Sequence, residues 1–322
     1  MNTKRKVLVV TLFVIILGII FYWQFLSAPG SGESERFIVP LNTETQVVVK
    51  KLKNEGFIRS TFGFDIVLFL RGGVSIESGG YKISKGMNIW EVISVLRGGP
   101  YMKWVVIPEG LRKEEIADIL SDALGWSENQ KDEWIKKDTT KNPDFFEGVY
   151  FPDTYLIPKD EAPEKVAERM QNKFQEKFAE FAKEATQQNI KWTTLLKIAS
   201  IVQREAAGKD DMPLIAGILW NRLLQDTKLE VDATVQYIRG NTEKGWWAPI
   251  KVLDKQIDSK YNTYKYKGLP PHPISNPGMN AIRAVLFPEE TKCLFYLHDK
   301  SGQIHCAVSY GEHQKNIEKY LR

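Results

Sequence analysis

The sequence predicts an α+β protein with a single N-terminal transmembrane helix, a small α+β module and a larger α+β domain. Three observations point there. One apolar run near the N-terminus is long enough to cross a bilayer. The segment after it passes from strand-like alternation to a helical period. The remainder holds several longer helical periods separated by loops rich in proline and glycine. With 322 residues the chain can form two modest domains, and its 43% hydrophobic content, with 9 Trp and 12 Tyr, indicates packed cores rather than disorder.

The run "VLVVTLFVIILGIIFYWQFL", residues 7–26, carries no charge. At ~1.5 Å per residue it matches a hydrocarbon core of ~30 Å. Lys4, Arg5 and Lys6 precede it, and Phe21, Tyr22 and Trp23 sit where an interfacial aromatic belt belongs. The positive flank belongs in the cytoplasm. Residues 1–28 therefore read as a cytoplasmic tip and a single-pass plasma-membrane anchor, with everything beyond lying outside the cytoplasm. The alternative is a cleaved signal peptide, since "SAPG" follows, but a signal's apolar region is usually ~7–15 residues and this run is longer.

Residues 29–35 are a polar linker. In the module at 36–103, "RFIVP" and "DIVLFL" are alternating stretches. "GGYKISKGMNIWEVISVLRGG" then reads as a strand, a turn at Gly86, and a helix with Ile89, Val92, Ile93 and Leu96 inward, ended by Gly98-Gly99. The unit at 104–322 opens on the strand "KWVVIP" and the helix "LRKEEIADIL". It continues through the loop "FFEGVYFPDTY" to a long charged helix near 163–188, a helix carrying Glu205, and "MPLIAGILWNRLL". The proline-rich stretch "YNTYKYKGLPPHPISNPG", 261–278, has no hydrophobic period and must be a shaped loop. Asn276 is the expected N-cap of the helix "GMNAIRAVLF", with Pro277 at its first position. Cys293 and Cys306 flank a hairpin with Ser301-Gly302 near its turn. An extracytoplasmic site permits a bridge, but the strand register is not readable, so a disulfide and free thiols both stand.

A net charge of +4 is mild. It suits an anionic surface, and no nucleic-acid signature accompanies it. Phosphate loops of the GxGxxG or GxxxxGK[ST] type are absent, as is GxSxG. The 4 histidines are scattered and form no HExxH, so neither a metal nor another cofactor is expected. What stands out is Glu205 in "IASIVQREAAG". At 100° per residue Leu195, Ile198, Ile201, Val202 and Ala206 share one arc, with Lys197, Ser200, Gln203 and Arg204 opposite. Glu205 falls near the middle of the apolar arc. A carboxylate there is costly unless it is paired or neutralised, so it is either a satisfied core acid or an acid whose surroundings raise its pKa for chemistry. Asp153, Asp232, Asn221, Asn262 and Asn276, with several Tyr and Trp, would suit a saccharide cleft, although such rings more often serve a core.

The order of motifs is more specific than any one of them. "VIPEG" (106–110), "EGVYFPDTY" (147–155), "ASIVQREA" (199–206), "NRL" (221–223), "DATVQY" (232–237), the 261–278 loop and "SYGEH" (309–313) follow one another. This resembles the membrane-bound endolytic murein transglycosylases, the MltG or YceG-like family, over nearly the whole chain. Residues 36–103 are similar to the LysM-like module of that family, and Ala233, His272 and Cys306 depart from its usual Pro, Gly and Phe. The resemblance implies a lyase that cuts the MurNAc–GlcNAc bond of nascent peptidoglycan strands, leaves 1,6-anhydro ends and so terminates glycan elongation. It implies Glu205 as the catalytic acid, needing no second carboxylate. Asp232, Gln236, Tyr261, Asn262, Tyr264 and Asn276 are then the substrate-binding candidates, and peptidoglycan synthases are candidate partners. Two rivals remain: a muramidase-type hydrolase in which Asp153 or Asp232 activates water, and a non-catalytic, membrane-anchored glycan-binding protein.

Overall fold

The charge-free run forms helix α1 (Thr3–Phe21), which continues through a π-helical turn over Tyr22–Leu26. Its aliphatic side chains from Val7 to Ile20 are all exposed. An apolar helix that no protein surface covers belongs in lipid. The 24 residues of Thr3–Leu26 span ~36 Å at ~1.5 Å each and fit a single-pass membrane anchor. The computed structural model describes residues 3–73, 75–142 and 146–321. Positions 1–2, 74, 143–145 and 322 lie outside the described residues, Phe145 of the "FFEGVYFPDTY" loop among them.

Beyond the anchor, the chain forms two units. The first runs to Val105 and takes in Tyr155–Asp160. Its sheet has the order β1 (Ser34–Val39), β2 (Gly79–Ser84), β3 (Met102–Val106), β4 (Thr154–Pro158). β1 and β2 are antiparallel, with Phe37 opposite Tyr81. Helices α2 (Thr45–Asn54), α3 (Thr61–Leu70) and α4 (Ile89–Arg97) supply Val48, Leu52, Phe64, Val92 and Leu96 to a core shared with Phe37 and Ile83. α4 starts with a capping box between Asn88 and Glu91 and buries Ile89, Val92, Ile93 and Leu96, the face its period predicts. The stretch "DIVLFL" is not extended as its alternation suggested. It is the second half of α3, started by the Ser60 hydroxyl accepting from the Gly63 amide. With apolar residues around most of the circumference, alternation carries no information about strand or helix.

The second unit holds Val106–Thr154 and the chain from Glu161 onward. Its helices are α5 (Lys113–Leu124), α6 (Glu128–Glu133), α7 (Pro163–Gln187), α8 (Trp192–Glu205), α9 (Met212–Leu224), α10 (Asp232–Arg239), α11 (Met279–Leu286) and α12 (Tyr310–Tyr320). A hairpin of β5 (Phe295–His298) and β6 (Ile304–Ala307) precedes α12. α8 sits at the centre, against α7, α9, α10 and α11.

Two details of the periodic reading need correction. The helical period puts Ser200 on the polar side of α8, yet it is fully buried. Its hydroxyl accepts from the Ile274 amide at 3.0 Å, and its carbonyl accepts from the Ser275 hydroxyl at 3.2 Å. Gln203 likewise accepts from the Gly278 amide at 3.0 Å. The polar face of α8 is therefore the anchorage of the 261–278 loop. Asn276 is not the cap of α11, because that helix begins later, with Gly278 as N-cap; the Asn276 side chain is engaged elsewhere.

Helix α9 approaches the segment after α11 closely enough that a Cβ on Gly217 would lie 2.3 Å from the Glu289 carbonyl oxygen. Overpacking of this kind costs ~1–3 kcal/mol. Gly217→Ala should lower the thermal midpoint by about 2–4 °C per kcal/mol lost. Gly208→Ala, where a Cβ meets nothing within 4 Å, should melt close to wild type. Circular-dichroism melts of the two variants check this, and equal midpoints would contradict the close approach.

Candidate active site

Glu205 is the last residue of α8, and the chain turns extended at Ala206. A carboxylate at that end of a helix meets the negative pole of the backbone dipoles. Its Oε2 accepts from the Tyr296 hydroxyl at 2.7 Å, and its Oε1 from the Ala233 amide at 3.4 Å. Burial pushes the carboxyl above its ordinary value, and Asp232 adds to the rise; the two hydrogen bonds and His298 oppose it without cancelling it. Tyr296 is itself pushed well above its ordinary value by burial and by Glu205, so its hydroxyl remains a donor.

Separate segments hold this pair together. The Asp211 carboxylate accepts from the amides of Ala207 at 2.9 Å and Gly208 at 3.1 Å, and meets His298 Nε2 at 2.6 Å. It thereby joins the turn after Glu205 to β5, the strand of Tyr296. Asn221 donates to the carbonyls of Thr291 at 2.8 Å and Cys293 at 3.1 Å, and Arg222 donates to that of Leu294 at 2.5 Å. The "NRL" motif thus fixes the approach to β5. Cys293 and Cys306 are bridged, which resolves the alternative that the sequence left open.

Beside Glu205 lies a cavity of about 740 Å³, a size that takes small ligands or a few sugar rings. Its polar lining includes Glu205, Arg222, Glu230, Asp232, Lys255, Tyr264, Tyr296, Tyr310 and His313, over an apolar floor with Ile218, Leu219 and Leu229. Tyr264 donates to Asp232 at 2.5 Å. The Lys255 ammonium stands 3.9 Å from Asp232 and 4.0 Å from the centre of the Tyr264 ring. Glu230 pairs with Arg222 at 3.1 Å.

Of the residues singled out from sequence, Glu205, Asp232 and Tyr264 meet in this cavity. Gln236, Tyr261, Asn262 and Asn276 are not among its lining residues. Gln236 donates to the carbonyls of Trp247 at 2.9 Å and Ala248 at 3.1 Å. Tyr261 packs on Tyr237, with ring centres 5.2 Å apart. Asn262 is fully buried, donates to the carbonyls of Lys255 and Ile257, and accepts from the Tyr264 amide at 3.0 Å. It shapes the loop that presents Lys255 and Tyr264. Asn276, also fully buried, accepts from the Tyr150 amide at 2.9 Å and donates to the Leu111 carbonyl at 3.0 Å and to Glu147 at 2.7 Å. Asp153 lies outside the cavity lining, its carboxylate accepting from the Thr154 amide at 2.7 Å.

Sequence reasoning missed Tyr296, Lys255 and Glu147. Glu147 is fully buried and accepts from the Lys113 amide at 3.1 Å and the Tyr237 hydroxyl at 3.4 Å, besides Asn276. Burial, helped by Glu114, pushes it up to about 8 against the pull of Lys113 and Arg112. It is a second acid with a raised pKa, but it is sealed from the cavity. No periodic signal marks any of the three. Among the described residues no cluster of three or more His, Cys, Asp and Glu could hold a metal ion.

The chain is similar to known proteins along most of its length. The pattern of the YceG-like family matches residues 37–319. An endolytic murein transglycosylase of Bacillus subtilis is 30% identical over 333 residues, covering 96% of this chain and 91% of that protein. One from Streptococcus pneumoniae is 23% identical over 330 residues, covering 91% of this chain and 60% of its own length. The crystal structure of a yceG-like protein from Listeria monocytogenes matches with a TM-score of 0.60 at 26% identity, over 88% of this chain and 99% of that one.

The raised pKa of Glu205 makes a stability prediction with a definite sign. Folded Glu205 holds its proton to higher pH than the unfolded chain, whose glutamate titrates near 4.5. Its contribution is fully present below pH ~4.5 and is lost as pH rises through the folded pKa. Glu205→Gln does not titrate, so its stability relative to wild type should increase from pH 4 to pH 8. Denaturant unfolding of both proteins at pH 4, 6 and 8 measures this difference. A difference that stays constant across the series would contradict the raised pKa.

Proposed function

The chain belongs to the YceG-like family, and on that premise we propose that it is a membrane-anchored lytic transglycosylase that cleaves peptidoglycan strands with Glu205 as its acid and base. The observation that carries this reading is the position of Glu205: an acid with a raised pKa lining a polar cavity, beside one hydroxyl donor. A carboxyl whose pKa is raised keeps its proton to higher pH and can protonate a leaving glycosidic oxygen. Tyr296 occupies Oε2, so the proton is carried on Oε1, whose contact with the Ala233 amide is long.

In the first step that proton passes to the bridging oxygen as its bond to C1 of the MurNAc ring breaks. Positive charge develops at C1, and Asp232, held by Tyr264 and near Lys255, supplies a negative field on the cavity wall. The C6 hydroxyl of the same sugar then bonds to C1 and gives its proton to the Glu205 carboxylate. The product is a 1,6-anhydro end, no water is consumed, and the enzyme returns to its starting protonation state. Tyr296 donates throughout, and its hydrogen bond strengthens when Glu205 is ionised. Gln236, Asn262 and Asn276 serve this chemistry by holding the loops that carry Lys255 and Tyr264, and Tyr261 by packing behind them.

The same reading assigns the rest of the chain. Residues 36–103 act as a LysM-like module that positions the strand. The anchor keeps the N-terminus in the cytoplasm and the catalytic unit at the outer face, where cleavage of nascent strands ends their elongation. A hydrolase remains the second reading, because Asp232 lines the cavity and could activate water.

Chromatography and mass spectrometry of digested peptidoglycan separate these readings. Wild type should release anhydro-muropeptides, and Glu205→Gln should lose at least ~10²–10⁴-fold of that activity, the usual range for removing a general acid–base. Asp232→Asn should retain measurable activity. Reducing ends instead of anhydro ends would establish the hydrolase, and an active Glu205→Gln beside a dead Asp232→Asn would show that the wrong acid has been chosen.

A further inference from the structure

Helix α3 carries apolar side chains around most of its circumference, yet only part of it enters a core. Phe64 and Val67 are buried, while Phe62, Phe69 and Leu70 are 58%, 83% and 65% exposed. Phe62 and Phe69, seven residues apart, share one face of the helix. Its single acid, Asp65, accepts from the Gln46 amide of α2 at 3.4 Å. Arg59 stands just before the helix and Arg71 just after it, so cations bracket the apolar stretch. A monomeric surface seldom leaves two phenylalanines and a leucine together in water without a partner.

The anchor supplies that partner's location. The ring of Phe25, in the last turn of the anchor, meets Phe62 edge-on at 6.1 Å. A side chain on Gly63 would lie 2.5 Å from the Phe25 carbonyl oxygen, so the two backbones touch there. The Arg59 guanidinium donates to the Ala28 carbonyl at 3.0 Å. Tyr22 and Trp23, exposed and one turn away, mark the interfacial level of the bilayer. α3 is thus fastened at the level where the chain leaves the lipid.

We propose that α3 is an interfacial helix, with Phe62, Phe69 and Leu70 seated in the headgroup–acyl boundary of the leaflet from which the anchor emerges. The inference rests on reading Thr3–Leu26 as a membrane span. Arg59 and Arg71 suit anionic phospholipid headgroups at either end of the apolar face. The consequence is that the first unit is fastened to the bilayer surface at two points, so it lies against the membrane instead of swinging on its linker.

Both native cysteines are bridged, so a Cys introduced into the full-length protein is its single free thiol. A nitroxide on Phe69→Cys, with Lys300→Cys in the exposed hairpin turn as solvent reference, is measured in phosphatidylcholine–phosphatidylglycerol vesicles. Oxygen partitions into lipid, and a nickel chelate stays in water. The proposal expects the oxygen-to-nickel accessibility ratio to be several-fold higher at position 69 than at 300. Equal ratios would place α3 in water and overturn it. A position 69 that neither relaxant reaches would mean that protein covers this face, which overturns it too. Release of the unlabelled protein from vesicles by alkaline carbonate would remove the anchor premise itself, a failure distinct from the other two.

Discussion

A carboxyl group at the C-terminal end of a buried helix loses hydration and also faces the helix's own unpaired carbonyls, so both effects favour its neutral form. That constraint governs the second unit. α8 carries Leu195, Ile198, Ala199, Ile201 and Val202 into the core and ends at Glu205 where the cavity begins. Among the described residues, two donors reach the carboxyl. Further donors would favour the anion and bring the pKa back toward the ordinary glutamate range.

The surrounding loops exist to maintain that economy of contacts. Three polar residues of α8, Ser200, Gln203 and Arg204, face away from the cavity and hold Ile274, Gly278 and Gly110. Asn276, Glu147 and Tyr237 then tie those segments to α5 and α10 in a fully buried network. Such a network is worth its desolvation only when every member is satisfied. It fixes the 261–278 loop in the second unit, and that loop places Tyr264 against Asp232. The two acids with raised pKa values thus have different roles: Glu205 opens on the cavity, and Glu147 keeps its proton inside a structural joint.

Legibility in the sequence followed the range of the physics involved. The anchor, the inner face of α4 and the helix carrying Glu205 are local periodic signals, and each was readable. Tyr296 was not, because it reaches Glu205 across 91 residues through a hairpin whose register no local pattern specifies. The amides of Asn262 and Asn276 misled for a different reason. An asparagine can bond a sugar or a backbone carbonyl with the same atoms, and only burial shows that these two are already satisfied. The strand β4 joins the sheet of the first unit from beyond α6, a non-local pairing with no signature in composition. α3 was misread because a helix that is apolar around most of its circumference also satisfies strand alternation.

Burial at the end of α8 holds Glu205 protonated to higher pH than an ordinary glutamate. Carbon-13 NMR of protein labelled at the glutamate side-chain carboxyl, with the Glu205 signal assigned by its absence in Glu205→Gln, titrates that group directly. The expected midpoint lies above the ordinary glutamate value and moves higher still in Tyr296→Phe, which removes the stronger of the two hydrogen bonds to the anion. A midpoint near 4.5, unmoved by Tyr296→Phe, would contradict the raised value.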